Sequence, residues 1–149
     1  MESLLEIQKR RLTMQAKIIE NSSLPLVLTY MSPLSWYRMM RRKPVFQIHA
    51  ITLWPFVFCR GKIGPVTRNH ESIHIAQATE TLVFFFYIIY LYDWLKGLWK
   101  YRNDYRGYSS RFEKAYYRIR AEQEAYTNDK NLNYFSVRKS REWLWKYKV

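Results

Sequence analysis

Residues 67–99 read TRNHESIHIAQATETLVFFFYIIYLYDWLKGLW. The stretch holds no proline and carries helix-forming residues throughout, so it predicts one long helix or two, with Gly97 marking a stop. From Leu82 to Tyr92 the run is uninterruptedly apolar, yet it is much shorter than the roughly 20 residues that a bilayer-crossing helix needs. A buried core helix is the expectation there. An interfacial segment is the alternative, because Tyr87, Tyr90, Tyr92, Trp94 and Trp99 are residue types that favour headgroup depth.

At the front of the stretch stands His70-Glu71-Ser72-Ile73-His74, an HExxH pattern. On a helix, positions i and i+4 share a face, so both imidazoles can reach one metal ion. Glu71 between them points aside, toward where a water on that ion would sit. The bland alternative is a solvated helix start capped by Asn69, with the histidines bonded to water or backbone.

Upstream, Phe46 to Cys59 (FQIHAITLWPFVFC) is rich in β-branched and aromatic residues, and Arg60 to Gly64 has the character of a turn. One or two strands fit, and Pro55 argues against a central, fully paired one. Pro25, Pro33, Pro44 and Pro55 forbid one long helix from Leu24 to Pro55, so short turns and extended pieces are expected. Residues 1–23 predict a basic amphipathic helix, with Leu4, Leu5, Leu12, Ile18 and Ile19 at helical spacing among Lys9, Arg10, Arg11 and Lys17. Its plain reading is a solvated helix packed on its own domain.

Downstream, a basic connector runs from Lys100 to Ser109. Ser110-Arg111-Phe112-Glu113 then matches a capping box, and the helix it starts should run to about Asn128. A last helix is expected from about Asn133 to Tyr147, packing through Phe135, Trp143 and Leu144. The chain thus reads as mainly α with a small β-strand or hairpin element, in a single domain spanning 1–149 whose core is 32–149. A length of 149 residues suits one hydrophobic core.

The later helix carries the other half of the metal argument. A catalytic zinc takes three protein ligands and an open position, so two histidines need one more carboxylate. Counted from Ser110, the apolar stripe runs Phe112, Ala115, Ile119, then 122 and 126, and position 122 is Glu. A carboxylate on a buried face is costly unless it is paired or binds metal. Glu122 is therefore the expected third ligand, its alternative being a pairing with a buried Arg or Tyr. Glu124 should face another side and meet solvent. Gln77 and Glu80 continue toward the histidine side of their helix, and His49 and Cys59 are expected to be structural.

HESIH followed by Glu122-Gln123-Glu124-Ala125-Tyr126 resembles the gluzincin pattern of metallopeptidases. ITLWPFVF, NHESIHIAQ and AYYRIRAEQEAY are similar, more closely, to a group of small bacterial proteins with gluzincin motifs, over about Ser32 to the C-terminus. The resemblance implies a zincin-like domain and one zinc ion on His70, His74 and Glu122, with Glu71 as general base in hydrolysis of a peptide or protein substrate. It also implies an upstream strand, Ala50 to Phe58, along which extended substrate lies. The family's supporting Asp four residues after the glutamate is Tyr126 here, a departure that adds no negative charge behind a histidine. The oxyanion role falls on none of Tyr117, Arg118 and Tyr126 in particular.

The net charge of +13, from 25 Lys plus Arg against 12 Asp plus Glu, favours anionic partners. It leaves an anionic membrane surface open and argues against nucleic acid, since the charges are spread along the chain rather than gathered in one motif. The rival function is a non-catalytic, zinc-stabilised, basic aromatic binding protein. A lone cysteine and an N-terminus without a secretory pattern point to the cytoplasm, including its membrane face. Oligomeric state and substrate are not written in the sequence.

Overall fold

The computed structural model describes residues 17–31 and 49–149. Of the helix expected over residues 1–23, positions 1–16 lie outside the described residues, and Lys17–Ile19 is not helical but a strand, β1. A β-branched pair beside an open strand edge gains more from pairing than from helix. β1 lies parallel to β3, Phe56–Cys59, with Ile18 opposite Val57. β2, Ala50–Leu53, lies antiparallel on the other side of β3, so the sheet order is β1-β3-β2. Trp54 and Pro55 turn between the two strands, and Pro55 therefore forfeits no ladder bond.

Between β1 and β2 comes α1, Leu24–Met31, where only turns and extended pieces were expected. Pro25 sits in its first turn, where its missing amide costs nothing, and the Ser22 hydroxyl accepts from the Leu24 amide. Then follow α2, Pro65–Glu80, and α3, Phe84–Lys100. Of the one or two helices expected there the chain forms two, parted at Thr81–Val83, where Leu82 and Val83 both take φ of 56°, and the two helix axes differ by 112°. That left-handed backbone is costly for a β-branched residue and has no sequence signal.

Gly97 does not stop α3; it lies within it. A Cβ built there would meet the Cα and Cβ of Ala115 at 3.1 Å, so this glycine is what lets α4, Arg111–Tyr117, cross closely. Ser110 caps α4 as expected, accepting from the Glu113 amide at 3.2 Å, while Glu113 reaches back to the Ser109 amide. The helix does not run on to Asn128. It breaks at Arg118–Ile119 and restarts as α5, Arg120–Asn128. The free amide at that restart is taken by Asp93 of α3, whose carboxylate also grips the Arg120 guanidinium through two contacts of 2.8 Å. The last expected helix is instead a 3-10 turn, Tyr134–Ser136, and a short α6, Trp143–Lys146.

The larger core cluster joins Ala78, Phe86, Ile119, Ala121 and Trp143; a second, of Val57, Cys59 and Ile75, fastens α2 to the sheet. Against expectation, the apolar run Leu82–Tyr92 is not a buried helix. Phe86 alone of it is fully inside, and most of the others present an exposed face. Gly97→Val should therefore lower stability by about 2 kcal/mol, because added atoms at a 3.1 Å contact must displace Ala115. Urea unfolding checks this, and restoration by a paired Ala115→Gly change is expected; a Gly97→Val protein as stable as wild type would contradict the close crossing.

Candidate metal centre

α2 presents His70 and His74 one turn apart, and α5 presents Glu122 against them. His70 Nε2 and His74 Nε2 are 3.2 Å apart. Glu122 Oε2 lies 3.5 Å from His70 Nε2, and Oε1 lies 3.4 Å from His74 Nε2. One donor atom from each of the three lies within 4.8 Å of the others, and all three residues are buried. Two facing imidazole nitrogens cannot both be lone pairs at that distance without something positive between them. Glu122 Oε2, moreover, is buried with no hydrogen-bond partner among the described residues. An orphaned carboxylate oxygen aimed at two imidazole nitrogens is a donor set that suits a divalent ion of the zinc type. The sequence thus picked out three residues that the fold does bring together.

The electrostatics point the same way. Burial disfavours the charged form of His74, but the Glu122 carboxylate beside it outweighs burial and raises its pKa from 6.5 to about 9. Burial would raise Glu122, yet the two histidines hold its carboxyl well below the usual range. A proton on His74 thus supplies the positive charge that the buried carboxylate requires. Tyr90 of α3 donates its phenolic hydrogen to Glu122 Oε1 at 2.7 Å. Burial first, then that carboxylate, pushes the Tyr90 phenol well above its ordinary value, so it stays a donor.

A layer of further residues holds the histidines, and the sequence reading caught little of it. Gln77 places Oε1 2.8 Å from His74 Nδ1, while its amide nitrogen donates to Glu124 Oε2 at 2.6 Å and to the Ala121 carbonyl at 3.0 Å. Gln77 is fixed as an acceptor, so Nδ1 carries the hydrogen and Nε2 faces Glu122. Glu124 is not on a solvated side as expected. It is 2 % exposed and accepts from Gln77, Tyr134 and Arg138, and Arg138 also pairs with Glu80. Glu122 is buried as the count from Ser110 expected, although the helix counted through is broken at Arg118–Ile119, and the count did not foresee that another side of α5 is covered by Arg138 and Tyr134.

Asn69 does not cap α2. Its amide nitrogen donates to the carbonyls of Asn128, Asp129 and Asn131, at 3.3, 2.8 and 3.1 Å. This pins the end of α5 beside α2 and brings Asp129 Oδ2 to 3.6 Å from His70 Nδ1. Asp129 stands two helical turns beyond Glu122, so a carboxylate faces His70 although position 126 is Tyr. Tyr126 instead packs its ring edge-on to His70, centroids 4.5 Å apart. Its other side joins Tyr108, Tyr117, Arg118, Gln123 and Thr127 in lining an open cleft.

Glu71 lies outside the three-residue cluster but on the same helix, 7 % exposed, and accepts a hydrogen bond of 2.5 Å from Thr52 Oγ1 of β2. Thr52 is the contact by which the expected upstream strand meets the site. The Tyr87 phenol also reaches this hairpin, accepting from the Trp54 amide of the turn at 2.9 Å and donating to the Thr52 carbonyl of β2 at 3.4 Å. His49 is exposed just before β2 and stands outside the cluster. Burial, then Glu71, pushes the Cys59 thiol up to about 11, so it stays a thiol at neutral pH, and it stands outside the three-residue cluster.

Comparison of the chain with protein-family models, with curated proteins and with solved structures gave no match.

An ion entering this cluster has to displace the His74 proton. The affinity for zinc should therefore rise about tenfold per pH unit from pH 7 to about 8 and level off above the His74 value of about 9. In the ion-free protein the His74–Glu122 pair contributes stability in full only between the ordinary values of 4.5 and 6.5. The contribution is lost as pH rises through about 9, since His74 is the group whose pKa folding raises. Chelator competition across this range checks the first statement, and a flat profile would contradict it.

Proposed function

We propose that this chain is a gluzincin-type zinc metallopeptidase, holding one zinc ion on His70, His74 and Glu122 and using Glu71 as general base. The observation that carries the reading is the convergence of the three buried donors, with Glu122 Oε2 left otherwise unpartnered. Zinc bound there would supply Lewis acidity, lowering the pKa of a water toward neutrality.

This chain's own residues do the rest. Gln77 and Asp129 orient the two imidazoles from behind, and Tyr90 holds one oxygen of Glu122. Glu71, steadied by Thr52, takes the proton of the attacking water and later gives it to the leaving amine. Among the described residues β2 is one of the two outer strands of the sheet and lies beside Glu71, which suits an extended peptide laid along it. Tyr126, whose ring meets His70, lines the neighbouring cleft with Tyr117 and Arg118, whose phenolic and guanidinium groups are the nearest such donors for the carbonyl oxygen of a substrate.

One observation favours a second reading, in which the metal only fastens α2 to α5. His70, His74 and Glu122 are 7, 6 and 3 % exposed, which is the closure of a structural site more than the opening of a catalytic one. The two readings part at Glu71, which the structural one does not need. Glu71→Gln should keep its zinc and lose peptide hydrolysis by at least about a hundredfold, measured on unstructured peptides beside metal content. Equal hydrolysis by the variant, or none by zinc-loaded wild type on any peptide, would leave the structural reading standing.

A further inference from the structure

α3 has two faces of opposite character. Its inner face builds the metal centre: Phe86 packs against His74, with ring centroids 6.3 Å apart, and Tyr90 bonds Glu122. Its outer face carries the adjacent Phe84 and Phe85, then Ile88, Leu91, Leu95 and Trp99 at steps of three and four residues, all more than 45 % exposed. They form one apolar stripe along a helix about 25 Å long. Scattered exposed hydrophobes are ordinary, but a continuous stripe of this length on one helix is not.

The charges around the stripe say what covers it. Asp93 is the one acidic residue of α3, and it is 1 % exposed and neutralised by Arg120. Lys96 and Lys100 are exposed at the C-terminal end of the helix, and Arg102 and Arg106 follow on the exposed connector. The Arg102 guanidinium stacks on Trp99 at 4.9 Å, and the connector's single acid, Asp104, is already paired with Arg106. The result is an apolar stripe that ends in aromatic and basic residues, the composition of a helix lying in a bilayer interface. A second copy would set another +13 chain against these cations, whereas acidic headgroups attract them.

We propose that α3 docks on an anionic lipid bilayer, lying in its plane with the stripe sunk into the headgroup and acyl boundary. None of the single described helices is long and apolar enough to cross a membrane, and α2 and α3, which would be so together, are bent by 112°. Docking in the plane uses the bend: it lays α3 on the surface and turns α2, with His70 and His74, away from it. The metal centre then sits about one helix diameter, about 10 Å, above the lipid. The inference rests on the outer face of α3 and stands whether or not the centre is catalytic.

The test is cosedimentation with vesicles of phosphatidylcholine, alone or with about 30 % phosphatidylserine, at about 0.1 M salt. Wild type should pellet with the acidic vesicles and far less with the neutral ones. Phe85→Gln with Ile88→Gln and Leu91→Gln should cut that binding by at least about tenfold, while melting, followed by circular dichroism, stays near that of wild type. Lys96→Gln with Arg102→Gln, which leaves the stripe intact, should weaken binding by about fivefold per charge and only on acidic vesicles. Wild type remaining in the supernatant, equal binding to both vesicle types, or a self-association through this face that the triple variant abolishes would each overturn the proposal.

Discussion

A carboxylate at position 122 has been taken out of water, and the arrangement around it answers that one cost. Burying an ionised carboxylate is unfavourable by several kcal/mol unless opposite charge and hydrogen-bond donors are supplied in place. His74 supplies the charge, His70 stands one turn away on α2, and Tyr90 supplies the donor from α3. Three helices are thereby committed to one point. The crossing of α2 and α5 is then held from the sides by Asn69, which binds three carbonyls at the end of α5, and by Gln77, which joins His74 to Glu124.

The second buried charge group explains why the first can be so exactingly placed. Glu124, Arg138 and Glu80 form a line of ion pairs on the other side of Gln77, and the Tyr134 phenol completes it. Removing one member of such a buried set leaves its partner uncompensated, so the set resists rearrangement although its net worth to stability is modest. Gln77 cannot turn its carbonyl away from His74 without breaking its bond to Glu124. On α3 the Asp93–Arg120 pair and the Gly97–Ala115 crossing do the same for the helix that carries Tyr90.

Which parts were legible in the sequence follows from what kind of force fixes each one. His70, His74 and Glu122 were readable because helical periodicity is local and a polar residue in an apolar stripe contradicts its surroundings. The Ser110 cap was readable because it is satisfied within a few residues. The break at Arg118–Ile119 was not, since Asp93 draws the Arg120 amide from another helix and nothing near Arg120 announces it, and the place of the turn at Thr81–Val83 has no local signal either. Gly97 was misread as a stop because its reason, Ala115, is distant in sequence. Glu124 and Asp129 were missed for a like cause: one is met by Arg138, the other is carried to His70 by Asn69. The apolar run of α3 looked like core because hydrophobicity alone does not tell a covered face from a bare one.

The function proposed for this centre depends on a metal ion held jointly by α2 and α5. The direct measurement is elemental analysis of the purified protein after brief exposure to a weak chelator, with His74→Ala and Glu122→Ala beside wild type. The account predicts about one zinc per chain in wild type and little in either variant, in keeping with three protein ligands. Wild type free of zinc even after the ion is added back, or zinc retained in full by Glu122→Ala, would contradict it.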